Sequence, residues 1–268
     1  MSTDAEFLYG TACWTAAARA KETARSDRLF DDPYAASLAG VVGEQLLQAS
    51  ELASGGENRY LAVRSLWFDQ IVEAHASQVR QVVNLGAGFD TRPFRLTLPP
   101  SLRWFEIDLP GVFDRKEPTL IDLRAVPTCV RTVVPTDLRG RWTDPLLGTG
   151  FEPDRPTMWL AEGLLFYLST TAVDDLLSDA RQLSGLGSRF AADLFGSALL
   201  RQRDWGERIP YCSDDPAGLL EHAGWRETEL AQPSPRQVLP ALGGGLAMAG
   251  DSADREPTNR AWLIVAGA

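Results

Sequence analysis

The sequence predicts an α/β fold built on a mostly parallel, Rossmann-like sheet, and three features predict it. An apolar, β-branched run, Gln81–Leu85, leads straight into a glycine turn, Gly86-Ala87-Gly88. From Gln81 onward strand patterns alternate with helical ones, the order a parallel sheet with crossover helices requires. Before Gln81 the chain reads mainly as helices, over Tyr9 to Ala49 and Asn58 to Ser77.

Taken in order, residues Tyr9 to Ala49 read as helices broken at Phe30-Asp31-Asp32-Pro33-Tyr34. Ser54-Gly55-Gly56 reads as a flexible joint. Asn58 to Ser77, with Leu61, Leu66, Phe68, Ile71 and Val72 apolar, reads as an amphipathic helix leading into the first strand. The expected strands are Gln81–Leu85, Arg103–Asp108, Arg131–Pro135, Met158–Ala161, Arg189–Leu194, Arg226–Leu230 and Ala261–Ala266. This divides a single domain into an N-terminal helical lid region, 1–79, and a core, 80–268. Ala241–Ala253 is rich in glycine and alanine and reads as a surface segment.

Composition narrows the function classes. A formal charge of −10 and a pI near 4.8 argue against binding a nucleic-acid backbone. No run approaches the roughly 18 apolar residues of a membrane helix, and no signal peptide pattern opens the chain. Cys13, Cys129 and Cys212 are scattered, with no Cys-x-x-Cys, which suits reduced thiols in a cytoplasmic protein. No cluster of metal-ligand residues stands out, and no Gly-x-Ser-x-Gly marks a hydrolase.

The glycine turn is the richest local signal. Gly86 and Gly88 allow a tight turn and leave main chain exposed to a ligand. Asp90 or Thr91 can cap a following helix, with Pro93 tolerated in its first turn. Together these form a nucleotide cradle. A dinucleotide fingerprint needs Gly or Ala at position 91, where Thr91 stands, and no Tyr-x-x-x-Lys pair exists. A nicotinamide oxidoreductase is therefore disfavoured.

The string Asn84-Leu85-Gly86-Ala87-Gly88-Phe89-Asp90-Thr91-Arg92 resembles the first motif of S-adenosylmethionine-dependent methyltransferases. More narrowly, it resembles the leucine carboxyl methyltransferase family and its bacterial polyketide O-methyltransferase relatives. The likeness runs from Lys21 to Ser169 and implies a seven-stranded class I methyltransferase sheet with S-adenosyl-L-methionine as cofactor. On that resemblance Gly86, Ala87 and Gly88 cradle the cofactor. Asp108, in Phe105-Glu106-Ile107-Asp108-Leu109-Pro110, takes the ribose hydroxyls beside Leu109, with Glu106 on the same strand face as the fallback. Asp137 takes the adenine amino group and Leu138 meets the ring.

Ala161-Glu162-Gly163-Leu164-Leu165-Phe166-Tyr167-Leu168 resembles the second family motif, with Phe166 in place of methionine. There Glu162 binds the ammonium and offsets the sulfonium. Tyr167 faces the acceptor, or else is an aromatic of the core. Arg59-Tyr60-Leu61-Ala62-Val63-Arg64 resembles a family segment whose arginine grips the methionine carboxylate, which points to Arg64. Lys21 stands at the spacing of a family lysine on the same carboxylate, with Arg19 as its neighbour. Phe195, Trp205 and Tyr211 are the expected acceptor contacts.

The expected activity is an S-adenosylmethionine-dependent O-methyltransferase acting on the carboxylate of a small aromatic or polyketide-like acid. A carboxylate acceptor needs no proton removed, whereas a phenol calls for a general base. His75 and His222 are the only histidines, and both read as structural. The alternatives are a phenolic O-methyltransferase of natural-product biosynthesis and a non-catalytic module that binds the cofactor. Protein C-terminal leucine methylation also falls within the resemblance, but a lysine-poor chain with a short second half points to a bacterial pathway enzyme.

Overall fold

The computed structural model describes residues 3–57, 59–198, 209–231 and 261–268. Three helices open the chain: α1 (Thr3–Thr23), α2 (Ala35–Ser54) and α3 (Tyr60–His75). Strands and helices then alternate as β1 (Gln81–Leu85), α4 (Arg92–Arg95), β2 (Arg103–Asp108), α5 (Pro110–Asp122), β3 (Val130–Pro135), α6 (Thr143–Gly148) and β4 (Thr157–Ala161). A 3-10 turn (Leu165–Tyr167) precedes α7 (Thr170–Gln182), β5 (Arg189–Phe195), α8 (Pro216–His222), β6 (Arg226–Ala231) and β7 (Ala261–Gly267). Every expected strand is present, its ends matched to within a residue.

The sheet order is β3-β2-β1-β4-β5-β7-β6, with β7 antiparallel to both its neighbours and the other pairs parallel. Successive strand residues face opposite sides, and the two buried faces follow that period. Val83 and Leu85 of β1, with Phe105, Ile107, Trp159 and Phe190, pack under α7 and α8 through Leu176, Leu177 and Leu220. Val82, Trp104, Met158, Leu160 and Ala191 face the opposite way, against Val63, Leu66, Phe68 and Val72 of α3.

α3 is a covering layer of the sheet, because its apolar residues are buried almost all round. α1 and α2 pair with each other through Ala12, Cys13, Ala16, Ala17, Leu38 and Ala39, and meet Phe89, Phe94 and Val112 near the glycine turn. α2 ends on Gly55, whose left-handed φ of +75° closes the helix with N–H bonds back to its last turn.

The helix expected after the glycine turn is a single turn. Thr91 occupies its N-cap position without a side-chain cap bond, while the Asp90 carboxylate accepts the Arg92 N–H at 2.8 Å. Thr128, from the loop before β3, donates its N–H to the Pro93 carbonyl and its hydroxyl to the Leu96 carbonyl. Those carbonyls are thereby satisfied without a further helical turn.

Candidate active site

The carboxyl ends of β1, β2, β4 and β5 meet around the glycine turn, and parallel sheets bind ligands at such an edge where the strand order reverses. Gly86 and Gly88 hold φ of +65° and +48°, a region that side chains rarely enter. A Cβ on Gly86 would lie 2.9 Å from Leu164 Cδ1 of the loop after β4.

Asp108 ends β2 beside this turn. Its carboxylate accepts the Gly88 N–H at 2.6 Å on one oxygen and the Leu109 N–H at 2.7 Å on the other. Burial raises its pKa, and the two N–H donors oppose that rise. Glu106, the fallback, is not at the edge. It is wholly buried in ion pairs with Lys116 at 2.7 Å and Arg131 at 2.8 Å.

Glu162 follows β4 directly, in a web of buried charge. Arg64 Nε lies 3.1 Å from one of its oxygens and an Arg92 nitrogen 2.7 Å from the other. Burial raises the Glu162 pKa, but Arg92 and Arg64 overcome it and hold the carboxyl below its ordinary value. Arg64 also reaches Asp193 of β5 at 3.2 Å, and Asp193 in turn accepts the Tyr60 hydroxyl and the Gly163 N–H. Arg92 continues to Asp69 and Asp90, Arg95 to Asp69, and Arg19 to Asp32 and the Phe89 carbonyl.

Tyr167 is half-buried in the 3-10 turn, its ring edge-on to Phe7 of α1 and packed on Phe166. Burial pushes its phenol up to about 12, against the pull of Arg64. Phe195 stacks at a tilt on Phe166 and Tyr60, and Tyr211 donates its N–H to the Phe166 carbonyl. Both are buried along this aromatic wall. Trp205 and Ala241–Ala253 lie outside the described residues.

Two expected cofactor contacts are placed differently. Lys21 lies on the outer side of α1, paired with Glu51 of α2 at 2.6 Å, because the next helix supplies its carboxylate. Arg19 is the cation of that segment that reaches the glycine turn. Asp137 is half-buried and turned to the Arg139 side chain and N–H, while Leu138 packs into the core. His75 hydrogen-bonds the Ile71 carbonyl at the far end of α3, and His222 is exposed in the last turn of α8.

Sequence reasoning gave Asp90 only a capping role and Arg92 none, and missed Asp69 and Asp193. The available signal was a lone carboxylate within an apolar stretch, Trp67-Phe68-Asp69 and Ala191-Ala192-Asp193-Leu194. Buried charge of that kind needs a partner.

The pattern of the leucine carboxyl methyltransferase family matches residues 12–181, which include both turn glycines, Asp108, Glu162 and Tyr167. The chain belongs to this family. It is a methyltransferase that depends on S-adenosyl-L-methionine. A protein of Saccharopolyspora erythraea, provisionally named an S-adenosyl-L-methionine-dependent methyltransferase, is 39% identical over 236 residues, covering 81% of this chain and 82% of its own. One of Mycolicibacterium smegmatis with the same provisional name is 41% identical over 217 residues, covering 74% and 73%. In fold, the chain matches a crystal structure of a Streptomyces avermitilis DUF574 family protein with TM-score 0.59 at 17% identity, covering 94% of this chain and 96% of that one. It also matches a provisionally named methyltransferase of Thermobifida fusca with TM-score 0.59 at 14% identity, covering 85% and 88%.

The residues at the edge fit the family's cofactor. Each Asp108 oxygen carries one N–H donor, leaving about two of a carboxylate's four lone-pair positions for hydroxyl donors. Among the described residues and by ion pairs alone, the charged web counts five carboxylates (Asp32, Asp69, Asp90, Glu162, Asp193) against four guanidiniums (Arg19, Arg64, Arg92, Arg95). It is one positive charge short, which suits a ligand with an ammonium and a sulfonium against a single carboxylate.

Proposed function

We propose that this methyltransferase transfers the methyl group to the carboxylate of a small, aromatic or polyketide-like acid. The observation that carries the reading is the absence of a ready base among the described residues of the edge. Tyr167 and Tyr211 are the phenols named for the acceptor side, and with burial pushing both up to about 12 they stay protonated near neutral pH. Glu162 and Asp193 are held by Arg64, and the histidines stand elsewhere. A phenol acceptor would lack a partner to take its proton, whereas a carboxylate arrives already charged. The family's name supports the same reading.

S-adenosyl-L-methionine, when bound, supplies an electrophilic methyl group on a sulfonium. In this reading Gly86, Ala87 and Gly88 bring main chain against the nucleoside and Asp108 accepts its hydroxyl protons beside Leu109. Asp137 and Leu138 border the base. Glu162 answers the positive charges of the tail, and Arg64 is poised between Glu162 and Asp193 for its carboxylate. Tyr167, Phe195 and Tyr211 line the acceptor side, where flat apolar walls align the acceptor and exclude water. The lid is then α1 with α2, whose Phe7 touches Tyr167.

Among the described residues no helix is long and apolar enough to cross a membrane, and we place the activity in the cytoplasm on small molecules. The test sets an aromatic acid beside the analogue bearing only its phenol, following S-adenosylhomocysteine release. Methyl ester formation from the acid alone is expected. Turnover confined to the phenol would overturn the acceptor assignment, and no turnover with a broad panel of acids would favour the cofactor-binding module.

A further inference from the structure

Lys116 is one of two lysines in the chain, every other cation of its 26 Lys and Arg being arginine. It is 0% exposed on α5, where its Nζ lies 2.7 Å from Glu106 Oε2. Glu106 stands two residues before Asp108 on β2, so the two carboxylates rise from the same strand face. A buried ion pair costs heavily in desolvation and is a poor way to gain stability. This one is also imperfect, since Glu106 Oε1 and Arg131 Nε have no hydrogen-bond partner. Its position explains what its energetics do not: the glutamate it holds shares a strand face with Asp108, the carboxylate read as the ribose acid.

We propose that Lys116 is a positioning residue for cofactor binding, a buried ammonium that keeps Asp108 in the charged form able to accept two ribose hydroxyls. The proposal rests on the reading of Asp108 as the ribose acid. Asp108 is itself buried against the glycine turn, and cofactor seated over it would remove more water. A carboxylate losing water takes up a proton unless positive charge stands near. The groups facing Asp108 are few. From the turn after β1 comes the Gly88 N–H, from the start of α5 the Leu109 N–H, and from the middle of α5 the charge of the Lys116 ammonium. Its own strand contributes Glu106, of opposite effect. From β3, Arg131 is spent on Glu106 and Glu117, and Asp137 beyond β3 is turned to Arg139. Lys116 also acts on Asp90 across the turn, which holds that carboxyl low. A protonated Asp108 would offer fewer acceptor positions to the hydroxyls.

The experiment measures S-adenosylhomocysteine affinity by calorimetry from pH 5 to pH 8.5 for the wild type and four variants. In the wild type affinity is expected to hold until the acid end of that range. Lys116→Met should shift the half-maximal pH upward by about one unit, to near pH 6, seen as a roughly tenfold loss between pH 8 and pH 5. Glu106→Gln should shift it downward, and the Lys116→Met/Glu106→Gln double variant should fall between Lys116→Met and Glu106→Gln. If Lys116→Met fails to fold, the Glu106→Gln and double-variant profiles carry the test. A purely structural role would lower affinity at every pH without moving the midpoint, and coincident midpoints or the reverse order would overturn the proposal. Asp108→Asn separates the failures: if it binds as well as wild type, the ribose assignment falls, whereas weakened binding with unmoved midpoints in the other variants sinks only the role of Lys116.

Discussion

Asp90 shows how one side chain can serve the turn and the stability of the whole chain. Its carboxylate accepts the Asn84 amide at 2.6 Å, the Arg92 N–H at 2.8 Å and the Arg92 guanidinium at 2.9 Å. Burial would raise its pKa, but Arg92 and Lys116 outweigh burial and hold it at about 2. That folded value lies below the ordinary 3.8, so its contribution is complete above about pH 4 and is lost as pH falls through 2. The difference corresponds to about 2 kcal/mol. Asp90→Asn should therefore unfold at lower denaturant concentration at pH 7 and lose less further stability than wild type between pH 4 and pH 2. Equal acid sensitivity in the two proteins would refute the assignment. This role was only half legible in the sequence. The Asp90-Thr91-Arg92 string announces a turn, but the third partner, Lys116, comes from a different element and could be found only in space.

At the scale of elements, β1, β2, β4, β5 and β7 were legible as short, largely apolar runs, and β1, β2, β4 and β5 are buried on both faces, whereas β6 is a polar, mostly exposed edge strand. The length of α4 was not legible, since the Thr128 groups that satisfy its carbonyls arrive from the far side of α5. The direction of Lys21 was hidden for a like reason, its partner Glu51 standing a whole helix away. The turn from β4 into the 3-10 segment offers a test of how closely elements lock the site. Gly163 has φ +65°, and a Cβ there would come within 3.0 Å of an Arg64 guanidinium nitrogen. Gly187, before β5, has φ +84° with nothing within 4 Å of its Cβ position. Alanine at either costs about 1–2 kcal/mol in left-handed strain, a drop of several degrees in Tm. Only Gly163→Ala should also weaken S-adenosylhomocysteine binding, by about tenfold, because it displaces Arg64 from Glu162 and Asp193. Equal binding by the two variants would show that Arg64 takes no part in holding the ligand.

For the molecule as a whole, the charged web joins α1, α3, the glycine turn, β4 and β5 into one buried body with an uncompensated negative charge. Such a body is costly to desolvate unless a cation completes it. The methyl donor carries one more positive charge than the product, since the sulfonium becomes a neutral thioether on transfer. The web should therefore favour donor over product, and the preference should depend on the carboxylates nearest the strand ends. Glu162 is the sharpest place to ask, because it follows β4 directly with 14% of its side chain still exposed at the edge. Glu162→Gln removes one negative charge and leaves the web neutral while preserving its shape. We expect the ratio of donor to product affinity, measured by calorimetry on the same preparation, to fall by about threefold to tenfold in Glu162→Gln, the span of a 0.6–1.4 kcal/mol change in a partly desolvated charge contact. Raised salt should shrink the wild-type ratio less than it would a surface pair, because the web lies out of reach of most screening ions. If both ligands weaken equally in Glu162→Gln, the carboxylate orients Arg64 and Arg92 without discriminating the sulfonium, and the excess charge of the web must be answered elsewhere.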